Sequence, residues 1–307
     1  MQGVREMKIS SFEELVEVAC SKGSTRVAVA AAHDLEVLLS MDKASKLGLA
    51  TGYLIGDWAV IEALVAQHGL DISQMTVIHE PDVVRAARQA VAFVREGRAD
   101  VVVKGQLRTD IFLKAVLDKE FGLRDRKLLS HVCVFQVPGM ERFIFLSDAG
   151  VVLYPTILQK LEIIQGAVDV ARRLGLECPK VALLAATEVV HPNIPASFEA
   201  LALARMAEQG WIEGAIVDGP LALDTALSAE ASRIKGIKSP VAGQADILIM
   251  PDIESGNIAV KSLLYFVHAR MAGLVIGARA PLVVNSRADS AENRFLSLAM
   301  AVFLATE

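Results

Sequence analysis

Aromatic residues make up only 5% of this 307-residue chain, which leaves no stacking platform for single-stranded nucleic acid. A basic surplus is missing too. Lys and Arg number 31 against 36 Asp and Glu, so the formal net charge is −5. Nothing draws such a chain in bulk to nucleic acid or to an anionic membrane, and any anionic ligand must be held by a local site. Cysteines are few: Cys20, Cys133 and Cys178 are odd in number and lack C-x-x-C spacing. That argues against a disulfide framework or a zinc site and for apolar filler roles in a reducing compartment. Mean hydropathy is high at +0.43, yet the longest apolar stretch, 296–305, is broken by Ser297. It is far short of the roughly 18–20 residues that a membrane span needs. The opening MQGVREMKISSFEELVEV has no apolar signal core and carries acidic residues early. Together these absences predict a cytoplasmic chain without nucleic-acid or membrane partners.

What the chain has is Ala, Val, Leu and Ile. Hydrophobic residues reach 53%, enough for a large core, and the length suits one large α/β domain or two lobes. Short apolar, β-branched runs predict strands over 27–32, 53–56, 75–79, 100–104, 132–137, 142–146, 181–185, 215–218, 246–250 and 282–285. Their continuous apolar character is that of parallel strands covered on both faces. Helical patterns lie between most of them. Over 82–95, Val83, Val84, Ala87, Ala90, Val91 and Val94 share one side. Over 156–174, Leu158, Leu161, Ile164 and Val168 do. Alternating β and α predicts mostly parallel, doubly wound sheets with helices on both faces.

One pair breaks the alternation. FQVPGMERF, from Phe135 to Phe143, reads as a hairpin with Pro138-Gly139 at its turn. Such a hairpin belongs at a sheet edge or between lobes, which puts a lobe boundary near 150–155.

Four junctions carry polar groups where an apolar strand runs into a helix. PLVVNSRADSAEN, Pro281 to Asn293, places Ser286 and Arg287 just before a helix that Asp289 or Ser290 can cap. A helix start offers unpaired N–H groups and a positive dipole end, and Arg adds a fork that fits phosphate oxygens. The others are VKGQLRTD from Val103, VDGPLALD from Val217 and IMPDIESGNIAVK from Ile249. In open α/β sheets ligands bind outside the carboxyl ends of the strands, so these loops should share a rim. Gly105 and Gly256 would let backbone approach a ligand closely.

These segments, in this order, resemble the phosphate acetyl/butyryltransferases. The resemblance rests on Asp218-Gly219-Pro220 through Asp224, SPVAGQAD from Ser239, Pro251-Asp252, Gly256-Asn257, Lys261 and Ser286-Arg287. Phe145-Leu-Ser-Asp148 with Pro155-Thr156 is similar to the family's central motif, and Lys104-Gly105 to its first-lobe loop. VALLAATE from Val181, with Pro195, looks more like the butyryl branch than the acetyl branch. The resemblance implies an acyltransferase that interconverts butyryl-CoA, or another short or branched acyl-CoA, plus phosphate with acyl phosphate plus CoA. It implies two α/β lobes like those of isocitrate and isopropylmalate dehydrogenases, an active site in the interlobe cleft, and a homodimer or higher homo-oligomer. Residues 276–307 would return to the first lobe, made otherwise of 1–152, and 153–275 would form the second. Coenzyme A would be a substrate, with no permanently bound cofactor and no metal.

By the same resemblance Ser286 would donate to the reacting group and Arg287 would hold phosphate or developing charge. Lys104, Gly105, Lys114, Asp148, Asp218, Gly219, Asp252, Gly256, Asn257 and Lys261 would line the substrates. The thiol needs a base. Where the acetyl branch has an aspartate seven residues after the serine, this chain has Asn293, which leaves Asp289, Glu292 or a group elsewhere. Asp289 with Glu292 also reads as a D-x-x-E capping pair. Lys114 stands where the acetyl branch tends to have arginine, and a lysine lacks the bidentate fork. Alternatives are a phosphate acetyltransferase, a non-catalytic acyl-CoA-binding relative, and a dehydrogenase of similar shape using NAD and a metal. The last needs clustered carboxylates, often D-x-x-x-D on a helix, and no such pair stands out.

Overall fold

The structure is a computed structural model that describes residues 8–126 and 128–306. In chain order the elements begin α1 (Phe12–Ser21), β1 (Thr25–Ala30), α2 (Leu35–Lys46), β2 (Ala50–Gly56), α3 (Trp58–His68), β3 (Met75–His79), α4 (Val83–Arg95), β4 (Val101–Lys104) and α5 (Thr109–Val116). The middle of the chain forms β5 (Ser130–Gln136), β6 (Ile144–Ser147), α6 (Ile157–Arg173), β7 (Lys180–Leu184), α7 (Pro195–Glu208), β8 (Ile216–Leu221), α8 (Leu223–Leu227) and α9 (Ala229–Ile234). Then come β9 (Ile247–Ile249), α10 (Ile253–Phe266), β10 (Arg270–Ile276), β11 (Leu282–Val283) and α11 (Ala291–Ala305).

These elements pack into two compact units. The terminal unit holds residues 12–129 and 271–307, and the middle unit holds 130–270 with the segment before α1. Strands of the terminal unit run in the order β3-β2-β1-β4-β11-β10. All neighbours there are parallel except β10 and β11. In the middle unit the order is β5-β6-β9-β7-β8, with only β5 and β6 antiparallel. The architecture is the mixed, mostly parallel α/β arrangement that the alternating pattern predicts. The compact middle unit starts at Ser130, and within it β6 pairs with both β5 and β9.

All ten expected strands form, with ends shifted by a few residues. The hairpin turn is also present: Met140 N–H donates to Val137 O at 3.0 Å, and Gly139 takes φ 83° behind Pro138, the geometry of a type II turn. β10 was not expected. Gly273 interrupts its apolar run and weakens the strand pattern, but its N–H is held by Ser297 Oγ at 3.0 Å. Two helix faces are rotated from the expected ones. Val84 and Leu158 are exposed, and Ala86, Phe93, Ile163 and Ala167 are buried instead. α11 is buried nearly all round, from Arg294 to Leu304, and packs against α1, α2 and β11.

Candidate active site

On the terminal unit, β1, β4 and β11 end side by side, so the loops after them share one rim. Lys104, the last residue of β4, is only 3% exposed. Its Nζ donates to Gly105 O at 3.3 Å and Leu107 O at 3.1 Å. The loop is strapped to the end of β1 as well, by Gly105 N–H to Ala30 O and Gln106 N–H to Ala31 O, both 2.8 Å. A Cβ on Gly105 would lie 2.2 Å from Ala31 O. The glycine therefore serves the approach of the chain to itself.

The segment after β11 is a turn built around two buried residues. Asp289 Oδ2 accepts from Ser286 N–H at 2.9 Å and from Asn285 Nδ2 at 3.3 Å. Arg294, 4% exposed, fills the inside of the turn. Its Nε donates to Asp289 O at 3.2 Å, and its Nη2 to Ser286 O at 3.2 Å and Arg287 O at 3.3 Å. Its Nη1 lies 3.6 Å from Asp34 Oδ1, and Asp34 is the N-cap of α2. With three carbonyls turned inward to one guanidinium, the Ser286 and Arg287 side chains stand at the surface.

Several expected roles move accordingly. Ser290, not Asp289, caps α11, accepting from Asn293 N–H at 3.3 Å. Ahead of the helix the N–H groups of Ser286 and Ala288 are engaged within the turn, and in its first turn that of Asn293 is taken by the cap. What faces outward is the Arg287 guanidinium and the Ser286 hydroxyl. Glu292 Oε2 pairs with Lys43 Nζ at 2.7 Å on the open surface. Asn293 Oδ1 accepts from Met271 N–H at 3.1 Å, and Ser297 Oγ ties Asn293 O to Asn285 Nδ2 at 2.7 and 3.1 Å. Lys114, on the last turn of α5, is exposed.

Burial pushes the Lys104 amine down from the ordinary 10.5 to about 8. The charges of Arg294 and Arg287 push the same way, and Asp34 and Asp289 oppose them.

On the middle unit the predicted residues gather around one loop. Asp148 is 3% exposed; Oδ2 accepts from His131 N–H at 2.9 Å, and Oδ1 from Gly150 N–H at 2.7 Å and Val151 N–H at 2.9 Å. Asp252 caps α10, accepting from Ser255 N–H at 2.8 Å. A Cβ on Gly256, in the first turn of α10, would lie 2.4 Å from Asp148 O. Asn257 Nδ2 donates to Ala149 O at 3.3 Å, and Lys261 follows one turn later, half-buried. Asp218 and Gly219 are not in a loop, since β8 runs on through both to Leu221. Asp218 Oδ1 accepts from Gly219 N–H at 2.8 Å. A Cβ on Gly219 would meet Leu183 at 2.7 Å.

Residues 81–302 match the family described as phosphate acetyl/butaryl transferase. The chain belongs to that family. It is 43% identical to a phosphate butyryltransferase of Clostridium acetobutylicum, over 97% of this chain and 99% of that one. Identity to a phosphate acetyltransferase of Rhizobium meliloti is 42%, over 96% of this chain and 94% of that one. Among solved structures, a branched-chain phosphotransacylase from Enterococcus faecalis V583 is similar at a TM-score of 0.81 and 33% identity, over 92% of this chain and 99% of that one. Among the described residues no helix is long and apolar enough to cross a membrane, and no group of three or more His, Cys, Asp or Glu side chains could hold a metal ion.

Within this family fold, Arg294, Asp34, Asn285 and Ser297 join the expected residues of the turn. Arg294 had a visible signal: it is the one charged residue between Glu292 and the end of an apolar helix, and Arg is almost never buried without partners. A second cluster follows β7. Thr225 Oγ1 and Lys235 Nζ donate to Glu188 at 3.1 and 2.9 Å, and Lys235 also pairs with Asp224 at 2.9 Å. The lysine holds both carboxyls below their ordinary range.

Proposed function

We propose that this chain interconverts a short or branched acyl-CoA plus phosphate with acyl phosphate plus CoA, with butyryl or a branched acyl group favoured and acetyl the alternative. The observation that carries this reading is near full-length identity to curated enzymes of both names, at 43% and 42%, in a chain whose Ser286-Arg287 turn is braced from within. Arg287 binds the phosphoryl group through its fork of donors. Ser286 donates to the carbonyl oxygen as it gains charge. Lys104 lies behind them at the end of β4; on the middle unit, Asn257 and Lys261 offer polar contacts of their own. Asp148, Asp252 and Gly256 shape the loop that presents those contacts, and Asp218 and Gly219 brace β8 beneath its end. Coenzyme A enters as a substrate, with no permanently bound cofactor. The protein works in the cytoplasm as a homodimer. Exposed Leu153, Tyr154, Leu158, Ile258, Tyr265 and Phe266 on the middle unit are apolar side chains that self-association would cover.

Purified protein given butyryl-CoA and phosphate should release free thiol. No release with any acyl-CoA from acetyl to hexanoyl would sink the proposal. Arg287→Ala should lower kcat/KM about 10²–10³-fold with the fold intact, because the side chain is exposed. Full activity in that variant would move the phosphate site elsewhere.

A further inference from the structure

The reaction needs a group that can give up and take back a proton, and the expected candidates after Ser286 are committed elsewhere. Asp289 is buried with one oxygen accepting from Ser286 N–H and Asn285 Nδ2. Glu292 is turned to Lys43, and Asn293 is an amide. Lys104 is different. Val103 pairs with Val283 in register, so Lys104 lies beside Val284, two residues ahead of Ser286. Among the described residues its amino group touches two acceptors, the carbonyls of Gly105 and Leu107, and no carboxylate comes within ion-pair distance. A neutral amine satisfies both carbonyls with its two N–H bonds and keeps a lone pair open; an ammonium has one proton left over. The charged groups around it are Arg294 on α11, Asp34 at the start of α2, and Arg287 and Asp289 in the turn. Three cations face two carboxylates there when Lys104 is protonated, and charge balances when it is neutral.

We propose that Lys104 is the proton carrier of acyl transfer at this site, an inference that rests on the phosphate acyltransferase reading. In the direction that consumes acyl phosphate, the neutral amine takes the S–H proton of CoA. The thiolate forms the C–S bond, the C–O bond to phosphate breaks with its electron pair, and the ammonium returns the proton to the departing phosphate oxygen. In the opposite direction the neutral amine takes the proton of the attacking hydrogen phosphate, the C–O bond forms, the C–S bond breaks with its electron pair, and the ammonium gives the proton to the departing thiolate. Either way the lysine ends as it began. An amine held at about 8 is well matched to this task, since a carrier works best when its pKa lies near the operating pH.

Steady-state rates of CoA with acyl phosphate, followed across pH, test the assignment with Lys104→Arg and Lys104→Met. The wild-type rate should rise with pH through about 8, as the amine becomes neutral. Lys104→Arg keeps the cation but cannot lose its proton, so kcat should fall about 10²-fold or more while phosphate KM in the reverse direction changes little. Lys104→Met should fall as far in kcat and lose the limb near 8. If Lys104→Met does not fold, Lys104→Arg alone decides. Retention of most of kcat by the arginine variant, or persistence of the limb in either variant, overturns the proposal. An inactive wild-type protein would instead overturn the function it rests on.

Discussion

The two units use carboxylates in opposite ways at their strand ends. On the middle unit Asp148 and Asp252 accept backbone N–H groups from their own loops, and among the described residues neither pairs with a cation. On the terminal unit Asp34 and Asp289 stand among Lys104, Arg287 and Arg294. The first rim is charge that has been used up in shaping a loop. The second gathers cations and carboxylates around the buried Lys104 amine and Arg294 guanidinium, with Arg287 at the surface. Both rims look alike as strings of Asp, Gly and Ser; burial and partners separate them.

The sharpest way to break this contrast is Arg294→Met. It removes the donor to three carbonyls and leaves Asp34 without its ion-pair partner. Stripping one partner from a buried pair costs about 3–5 kcal/mol, so denaturant midpoints should drop steeply and activity should vanish with them. A near-native midpoint would show that the turn is held by Asp289 alone.

A somewhat smaller effect should appear as a pH dependence of stability. With Lys104 near 8 in the folded chain and near 10.5 when unfolded, the charged amine destabilises the fold fully below about 8. Between the two values the unfolded chain binds more protons, so stability rises with pH, and the handicap is gone above about 10.5. The shift corresponds to about 3 kcal/mol. Unfolding free energies of wild type and Lys104→Met, compared at about pH 7.5 and about pH 10, should converge in favour of wild type at the higher pH. Parallel curves would mean that the amine is better solvated than its burial indicates. On the middle unit, Gly256→Ala drives a Cβ to 2.4 Å from Asp148 O and should cost about 1–3 kcal/mol, the usual range for overpacking. It should also disturb the Asp148 loop, visible as a raised KM.

Much of this was legible beforehand, and the reasons differ by level. A strand such as 100–104 announces itself through continuous Val, and the turn at Pro138-Gly139 through its backbone demands. The Ser286-Arg287 join was legible because it lies between a strand and a helix start. β10 was hidden by Gly273. The roles of Gly105 and Gly256 could not be read, because close approach of the chain to itself and close approach of a ligand ask for the same residue. The partners of Arg294 were hidden for a related reason: they are carbonyls, which every residue has, and only the folded turn brings three of them to one guanidinium.

The smallest predicted effect is the one that separates the inside of the terminal rim from its outside. Glu292 is about two-fifths exposed and paired with an equally exposed Lys43, which also lies 4.1 Å from the centre of the Phe295 ring. Pairs of this kind contribute about 0–1 kcal/mol, and the cation–π contact survives loss of the carboxylate. Glu292→Gln should therefore leave the unfolding midpoint nearly unchanged and the pH–rate profile of acyl transfer intact. If the alkaline limb disappears in this variant instead, Glu292 is the base, and proton transfer belongs to the open surface of the turn rather than to its buried interior.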